Sequence, residues 1–203
     1  SDVYKRQFTI PYKQKALALA DETGANAKIV GAINALARNK LGGWKAEIFD
    51  GIGCVQAFRK RGLSFTGKRI MLIGAGGAGS AIGVAIAYES PISIQLYDPD
   101  VDRALDLVRK IQMVDASIQV ERTDPTCKGI DVVLNASPVG MLDDQRAPIN
   151  IDDLVTELIV FDAIVKPDMT PLLSRAEALG CEIVRGREMM LGQIAKMTDY
   201  FGL

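Results

Sequence analysis

The sequence predicts an α/β protein whose larger part is a doubly wound parallel sheet. Three observations predict it. From Lys68 onward, short apolar runs alternate with helical patterns, the order that builds a parallel sheet covered by helices. Gly74, Gly76 and Gly79 fall as G-x-G-x-x-G between the apolar run 70–73 and the Ala/Gly-rich segment 81–88, which is strand, turn and helix in succession. Asp98 follows the second apolar run, 92–96, and lies 19 residues after Gly79. That is near the spacing of about 20 at which an acid ends the second strand of a dinucleotide-binding unit.

The elements before the glycine turn are less regular. Residues 1–7 are polar and charged without periodicity and read as a leader foreign to the fold. Phe8, Thr9 and Ile10 form a short strand that Pro11 closes. A domain rarely opens on a strand with nothing before it, so the chain is expected to be a fragment. An open edge at 8–10 is an association risk, and a homodimer is the assembly it allows. Residues 13–21 read as a helix. The stretch 27–36 is apolar with Asn34 inside it, and a buried Asn34 needs hydrogen-bond partners from protein or ligand. Residues 38–43 are a turn, 44–49 a short strand, and 52–61 a helix that Gly62 stops.

Beyond the glycine turn the pattern is cleaner. Gly74 permits the tight turn, Gly76 lets backbone approach a pyrophosphate, and Gly79 lets the helix pack close to its strand, with Gly77 and Ala78 between them. The helix N-terminus offers free N–H groups to phosphates. Pro99 ends the second strand. Asp100 caps a helix over 101–112, whose Ala104, Leu105, Leu107, Val108 and Ile111 suit one face. Strands follow at 117–120, 131–135 and 158–162, then a helix over 170–179 with Pro171 in its first turn, a strand at 181–184 and a closing helix over 188–200.

Composition excludes several functions. With 24 basic and 25 acidic residues the net charge is −1, which argues against nucleic acid as the main partner. No apolar run is long enough to span a membrane. Cys54, Cys127 and Cys181 are far apart and odd in number, so they read as reduced thiols of a cytoplasmic protein rather than a disulfide or metal framework. The chain contains no histidine. Any proton transfer therefore falls to Lys, Asp, Glu, Tyr or Cys, and no metal ligand set is expected.

Six short motifs, in order over nearly the whole chain, resemble the shikimate/quinate dehydrogenase family. They are Thr9-Ile10-Pro11-Tyr12-Lys13, Gly31-Ala32-Ile33-Asn34, Asp50-Gly51-Ile52-Gly53, Asn135-Ala136-Ser137 with Gly140-Met141, Thr170-Pro171-Leu172-Leu173, and Gly186 with Met189 and Gln193. The resemblance implies a NAD(P)-dependent enzyme that interconverts shikimate and 3-dehydroshikimate, or quinate and its ketone. It implies Lys13 and Asp50 as catalytic, Thr9, Asn34 and Gln193 as substrate-binding, and Asn135, Ser137, Gly186 and Met189 beside the cofactor. It implies two lobes: a Rossmann-type dinucleotide domain over 51–186, and a substrate lobe made of 1–50 and the helix 187–203, truncated at its N-terminus. The sequence departs from the family at Ile48, Phe49, Ala35 and Val165, and the family's N-terminal Ser-x-Ser segment is missing.

The cofactor segment departs as well. NADP-using members carry Asn-Arg-Thr where this chain has Asp98-Pro99-Asp100. Two carboxylates repel a 2′-phosphate, and Asp98 can accept from a free ribose hydroxyl, so NAD is expected over NADP, with Arg103 the nearest group that could rescue NADP. For the chemistry, Lys13 as ammonium donates a proton to the forming alkoxide, and as amine it accepts one in the reverse direction, so alcohol oxidation is expected to speed up as pH rises. Plainer roles remain open for these residues. Asp50 could cap a helix, Thr9 and Asn34 could be satisfied core polar groups, Gln193 could be a solvated face residue, and Met189 could be core filler. A non-catalytic module that senses dinucleotides is the rival from another class.

Overall fold

The computed structural model describes residues 5–9 and 11–203. Two sheets organise it. The larger has six strands, all parallel: β5 (Arg69–Ile73), β6 (Ser93–Tyr97), β7 (Gln119–Arg122), β8 (Val132–Asn135), β9 (Ile159–Asp162) and β10 (Glu182–Val184), in the order β10-β9-β8-β5-β6-β7. The chain runs outward from β5 through β6 to β7, then crosses back to β8 and continues outward on the other side. The reversal lies between β5 and β8, whose ends meet at Ile73 and Asn135. Crevices for ligands form outside the carboxyl ends of strands at such a switch point.

The central strands are apolar throughout because both faces are covered. Ile70, Met71 and Leu72, like Val132, Val133 and Leu134, are fully buried. α3 (Gly77–Ala87) and α4 (Val101–Val114) lie on one side. The stripe Ala104, Leu107 and Ile111 buries α4, while Leu105 is exposed. α5 (Pro171–Leu179) covers the other side with Leu172, Leu173 and Ala176. The expected caps are present. Asp100 accepts from the backbone N of Arg103, and Thr170 accepts from Leu173.

The smaller sheet has four strands in the order β1-β3-β4-β2: β1 (Lys5–Gln7), β2 (Glu22–Thr23), β3 (Ala35–Arg38) and β4 (Trp44–Glu47). β1/β3 and β3/β4 are antiparallel, and β2/β4 is parallel. α1 (Ala25–Val30) ends at Gly31, which is left-handed at φ 73°. α2 (Asp50–Lys60) and α6 (Gly186–Phe201) pack together between the sheets. One apolar core runs from Ile33 and Ile48 through Cys54 and Phe58 to Leu72 and Phe161, so the two sheets share it.

Three expectations at the N-terminus are corrected. The first strand is Lys5–Gln7, within the stretch read as a foreign leader. Its pairing with β3 is a backbone interaction that needs no apolar side chains at an exposed edge. Phe8 and Thr9 lie outside any strand, although the N–H of Phe8 still donates to the carbonyl of Asn34 at 2.9 Å. Ile10 and residues 1–4 lie outside the described residues. The helix expected over 13–21 is a short 3-10 turn at Lys15–Leu19. An α-helical turn would need the Lys13 carbonyl to accept from Leu17, but that carbonyl accepts from Ile33 at 2.9 Å, and Leu17 donates to Gln14 instead.

Candidate active site

The glycine turn closes on itself. Gly74 sits at φ 100°, in the left-handed region, and its N–H donates to the carbonyl of Tyr97 at 2.7 Å. A Cβ on Gly79 would collide with the Gly74 carbonyl, so only glycine lets α3 start this close to β5. Gly76 faces open space, with no atom within 4 Å of where a Cβ would stand. The first turn of α3 carries no acidic residue, and Gly76 at the N-cap has no side chain to satisfy the free N–H groups. Those groups border a cavity of about 670 Å³, lined by Gly74, Gly76, Gly77, Ala78 and Asp98 on one side and by Ser137, Pro138 and Val139 on the other. A donor-rich helix start over an open glycine backbone fits the pyrophosphate of a dinucleotide.

Asp98 is buried at the cavity wall. Its Oδ2 accepts from the N–H of Ala75 at 2.7 Å and its Oδ1 from Asp100 at 2.9 Å. Each oxygen keeps a lone pair for a further donor. The carboxylate therefore shapes the glycine turn as well as facing the cavity. Arg103 and Arg146 also line the cavity, paired with Asp100 and Asp144 at the surface. Arg146 escaped the sequence reading because no motif or periodic pattern covers it.

The second cluster lies beside the first. Lys13 Nζ donates to Asp50 Oδ2 at 2.5 Å, with side-chain exposures of 11% and 5%. Lys13 lines the cavity, and its stem packs on Gly77, 3.3 Å from where a Cβ would stand. One side chain thus links the smaller sheet to the glycine turn. Asn34 is buried. Its Nδ2 donates to Gln193 Oε1 at 3.0 Å, and its Oδ1 accepts from the N–H of Phe49 at 3.0 Å. The chain Gln193, Asn34, Phe49 reaches the residue next to Asp50, so three separate segments meet here. Gln193 is buried rather than solvated, and Asp50 is the first residue of α2 with Phe49 as its N-cap.

The glycines after Asp50 explain how it is held. A Cβ on Gly51 would strike the Ala81 carbonyl of α3, and a Cβ on Gly53 would come 2.5 Å from the Met189 carbonyl of α6. α2 is wedged between two helices at close range, which fixes where its N-terminal carboxylate points.

The remaining expected residues are placed differently. Thr9 is exposed, and among the described residues its side chain makes no hydrogen bond. Gly186 starts α6 against the backbone of Ala163 and Ile164, and Met189 packs against Gly53. Neither lines the cavity. Asn135 is fully buried behind the wall, with Oδ1 accepting from Ser137 and Nδ2 donating to Asp162, while Ser137 is on the wall. Asp162 is a polar residue that the pattern 159–162 hid: a carboxylate ending an apolar strand. Burial pushes its pKa up to about 6, against the lowering effect of hydrogen bonds from Ile164, Asn135 and Thr170. No helix among the described residues is long and apolar enough to cross a membrane.

No protein-family model matches the chain. A shikimate dehydrogenase (NADP(+)) from Alkaliphilus oremlandii is 31% identical over 196 residues, covering 92% of this chain and 68% of that relative. The structure of a quinate dehydrogenase from Corynebacterium glutamicum in complex with NAD superposes with a TM-score of 0.87 at 27% identity, over 98% of this chain and 73% of that one. The structure of a shikimate 5-dehydrogenase from Listeria monocytogenes in complex with shikimate and NAD gives 0.86 at 28% identity, also over 98% and 73%.

Proposed function

The chain belongs to the shikimate dehydrogenase family of oxidoreductases that act on CH–OH groups, and on that premise we propose that it interconverts shikimate and 3-dehydroshikimate with Lys13 and Asp50 as the acid–base pair. The observation that carries this reading is the nearly buried Lys13–Asp50 contact at the edge of the dinucleotide cavity. A nicotinamide dinucleotide, when bound, supplies or accepts the hydride. In ketone reduction the Lys13 ammonium gives its proton to the carbonyl oxygen as that oxygen gains negative charge. In alcohol oxidation the Lys13 amine takes the hydroxyl proton. Asp50 orients Nζ and offsets its charge. Asn34 and Gln193 are buried and held by each other and by Phe49, and we assign them to contacts with ring hydroxyls on the family resemblance. Thr9, exposed four residues before Lys13, is a third candidate contact.

We infer NAD rather than NADP. Asp98 at the wall and Asp100 beside it set negative charge where a 2′-phosphate would lie. Arg103 and Arg146 oppose this, and curated relatives are named for NADP(+). The Asp98 carboxylate, together with the likeness to an NAD-bound quinate dehydrogenase, also favours a second reading, a quinate/shikimate dehydrogenase working in the oxidative direction. A nicotinamide absorbance assay with shikimate and quinate, each with NAD and with NADP, separates the readings. Turnover of shikimate alone supports the first, and equal or better quinate turnover supports the second. Dinucleotide binding without turnover of either would refute both and leave a dehydrogenase of another substrate or the sensing module. A higher kcat/KM with NADPH than with NADH would refute the NAD preference.

A further inference from the structure

We propose that Asp162 is a positioning residue for dinucleotide binding, acting through Asn135 on the loop that forms one wall of the cavity. The inference rests on reading that cavity as a dinucleotide site. β8 and β9 end side by side, with Asn135 opposite Asp162 in register, and both side chains are fully buried. Asp162 Oδ2 accepts from Asn135 Nδ2 at 3.1 Å and from Thr170 Oγ1 at 2.8 Å, and Oδ1 accepts from the N–H of Ile164 at 3.0 Å.

An asparagine amide can face two ways, with its oxygen and nitrogen exchanged. Next to a carboxylate, which only accepts, the nitrogen must face Asp162. The same nitrogen donates to the Val139 carbonyl at 3.2 Å, and the oxygen of Asn135 faces Ser137. There it accepts from both the N–H and the hydroxyl of Ser137, at 3.0 and 2.7 Å. Ser137 Oγ in turn accepts from the N–H of Val139 at 3.2 Å. Ser137, Pro138 and Val139 line the cavity. The same loop touches the first glycine of the turn, where a Cβ on Gly74 would stand 2.7 Å from Ser137 N. The carboxylate sets the amide, the amide sets the turn, and the turn sets the wall.

Among the described residues no ion pair includes Asp162, so its burial is not explained by a salt bridge. A neutral residue at this strand end would avoid the desolvation cost. The carboxylate is the second acceptor on Asn135 Nδ2, which also donates to the Val139 carbonyl at 3.2 Å, and it ties the amide to the end of β9. Thr170 adds a second anchor, since its hydroxyl donates to Asp162 and also caps α5.

The test uses the 203-residue chain, with NADH and NADPH as probes in fluorescence titrations and the Listeria-type substrate, shikimate, in kinetics. Asp162→Asn removes the charged acceptor that anchors Asn135 Nδ2 to β9 and leaves the amide held only by the loop it braces. We expect the dinucleotide Kd to rise about tenfold, with the KM for shikimate within about twofold of wild type. Thr170→Val, which removes one donor, should weaken dinucleotide binding by about threefold, and Thr170→Ser, which keeps the hydroxyl, should restore it. A folded Asp162→Asn protein with wild-type Kd would overturn the proposal. So would equal Kd values for Thr170→Val and Thr170→Ser, and that pair decides alone if Asp162→Asn does not fold. Failure of the wild-type chain to bind either dinucleotide would overturn the dinucleotide reading itself, and this inference with it.

Discussion

Lys13 and Asp50 are separated by 37 positions in the chain and meet as a nearly buried pair. Removing one partner of such a pair costs more than the pair itself contributes, because a buried charge is left alone. Lys13→Ala should therefore lower turnover by about a thousandfold while leaving the NADH Kd within about threefold, measured by steady-state kinetics and fluorescence titration. Retention of most turnover would exclude Lys13 as the proton donor. Asp98 tests the cofactor reading at the same scale. Asp98→Asn removes the charge, keeps an acceptor for the N–H of Ala75 and gives up the one for Asp100. The ratio of kcat/KM for NADPH over NADH should rise roughly tenfold as repulsion of the 2′-phosphate is lost. Lys13, Asn34, Asp50 and Gln193 were legible through short motifs. Asp162 and Arg146 were not, since a single acid or base has no period and shows its role only through what surrounds it.

The element that holds the site is α2. Its Gly51 lies against α3 and its Gly53 against α6, so the helix cannot shift without moving Asp50. Gly53→Val would place branched carbons against the Met189 carbonyl and force the helices apart. It should cost about 1–3 kcal/mol in urea unfolding and reduce kcat more than it raises the NADH KM. An unchanged unfolding midpoint would show that α2 and α6 are not tightly packed. Element ends with their own chemistry were readable in advance: Asp100 and Thr170 cap α4 and α5, and Gly180, left-handed at φ 86°, ends α5. The N-terminal elements were not. Lys5–Gln7 becomes a strand because β3 offers a backbone edge, and residues 15–19 tighten into a 3-10 turn because Ile33 has taken the Lys13 carbonyl. Neither cause is local.

At the scale of the whole molecule, one core joins the two sheets, and the Asp162 carboxylate is fully buried at the end of β9. Burial raises the pKa of Asp162 to about 6, above its ordinary value near 4 in the unfolded chain. The folded state then holds the proton more tightly than the unfolded state. The contribution of this group to stability is full below about pH 4 and is lost as pH rises through about 6, a swing of roughly 3 kcal/mol. Urea unfolding of wild type and Asp162→Asn at pH 4 to 7.5 should show the difference between them moving in favour of the variant as pH rises. A difference that stays flat would place the folded pKa of Asp162 at an ordinary value.

The sequence by itself determined the parallel α/β architecture, the strand–turn–helix at Gly74, the acid at Asp98, and an absence of histidine that leaves proton transfer to Lys, Asp, Glu, Tyr or Cys. These features are local or periodic, and each follows from the backbone freedom or side-chain chemistry of residues near one another in the chain. Tertiary structure decided how Lys13, Asn34, Asp50 and Gln193 converge, why α2 needs two glycines, and that Asn135 and Asp162 stand behind the cavity wall rather than on it. Those outcomes depend on close packing and on donors matched to acceptors across distant segments, and such pairings exist only once the whole chain has folded.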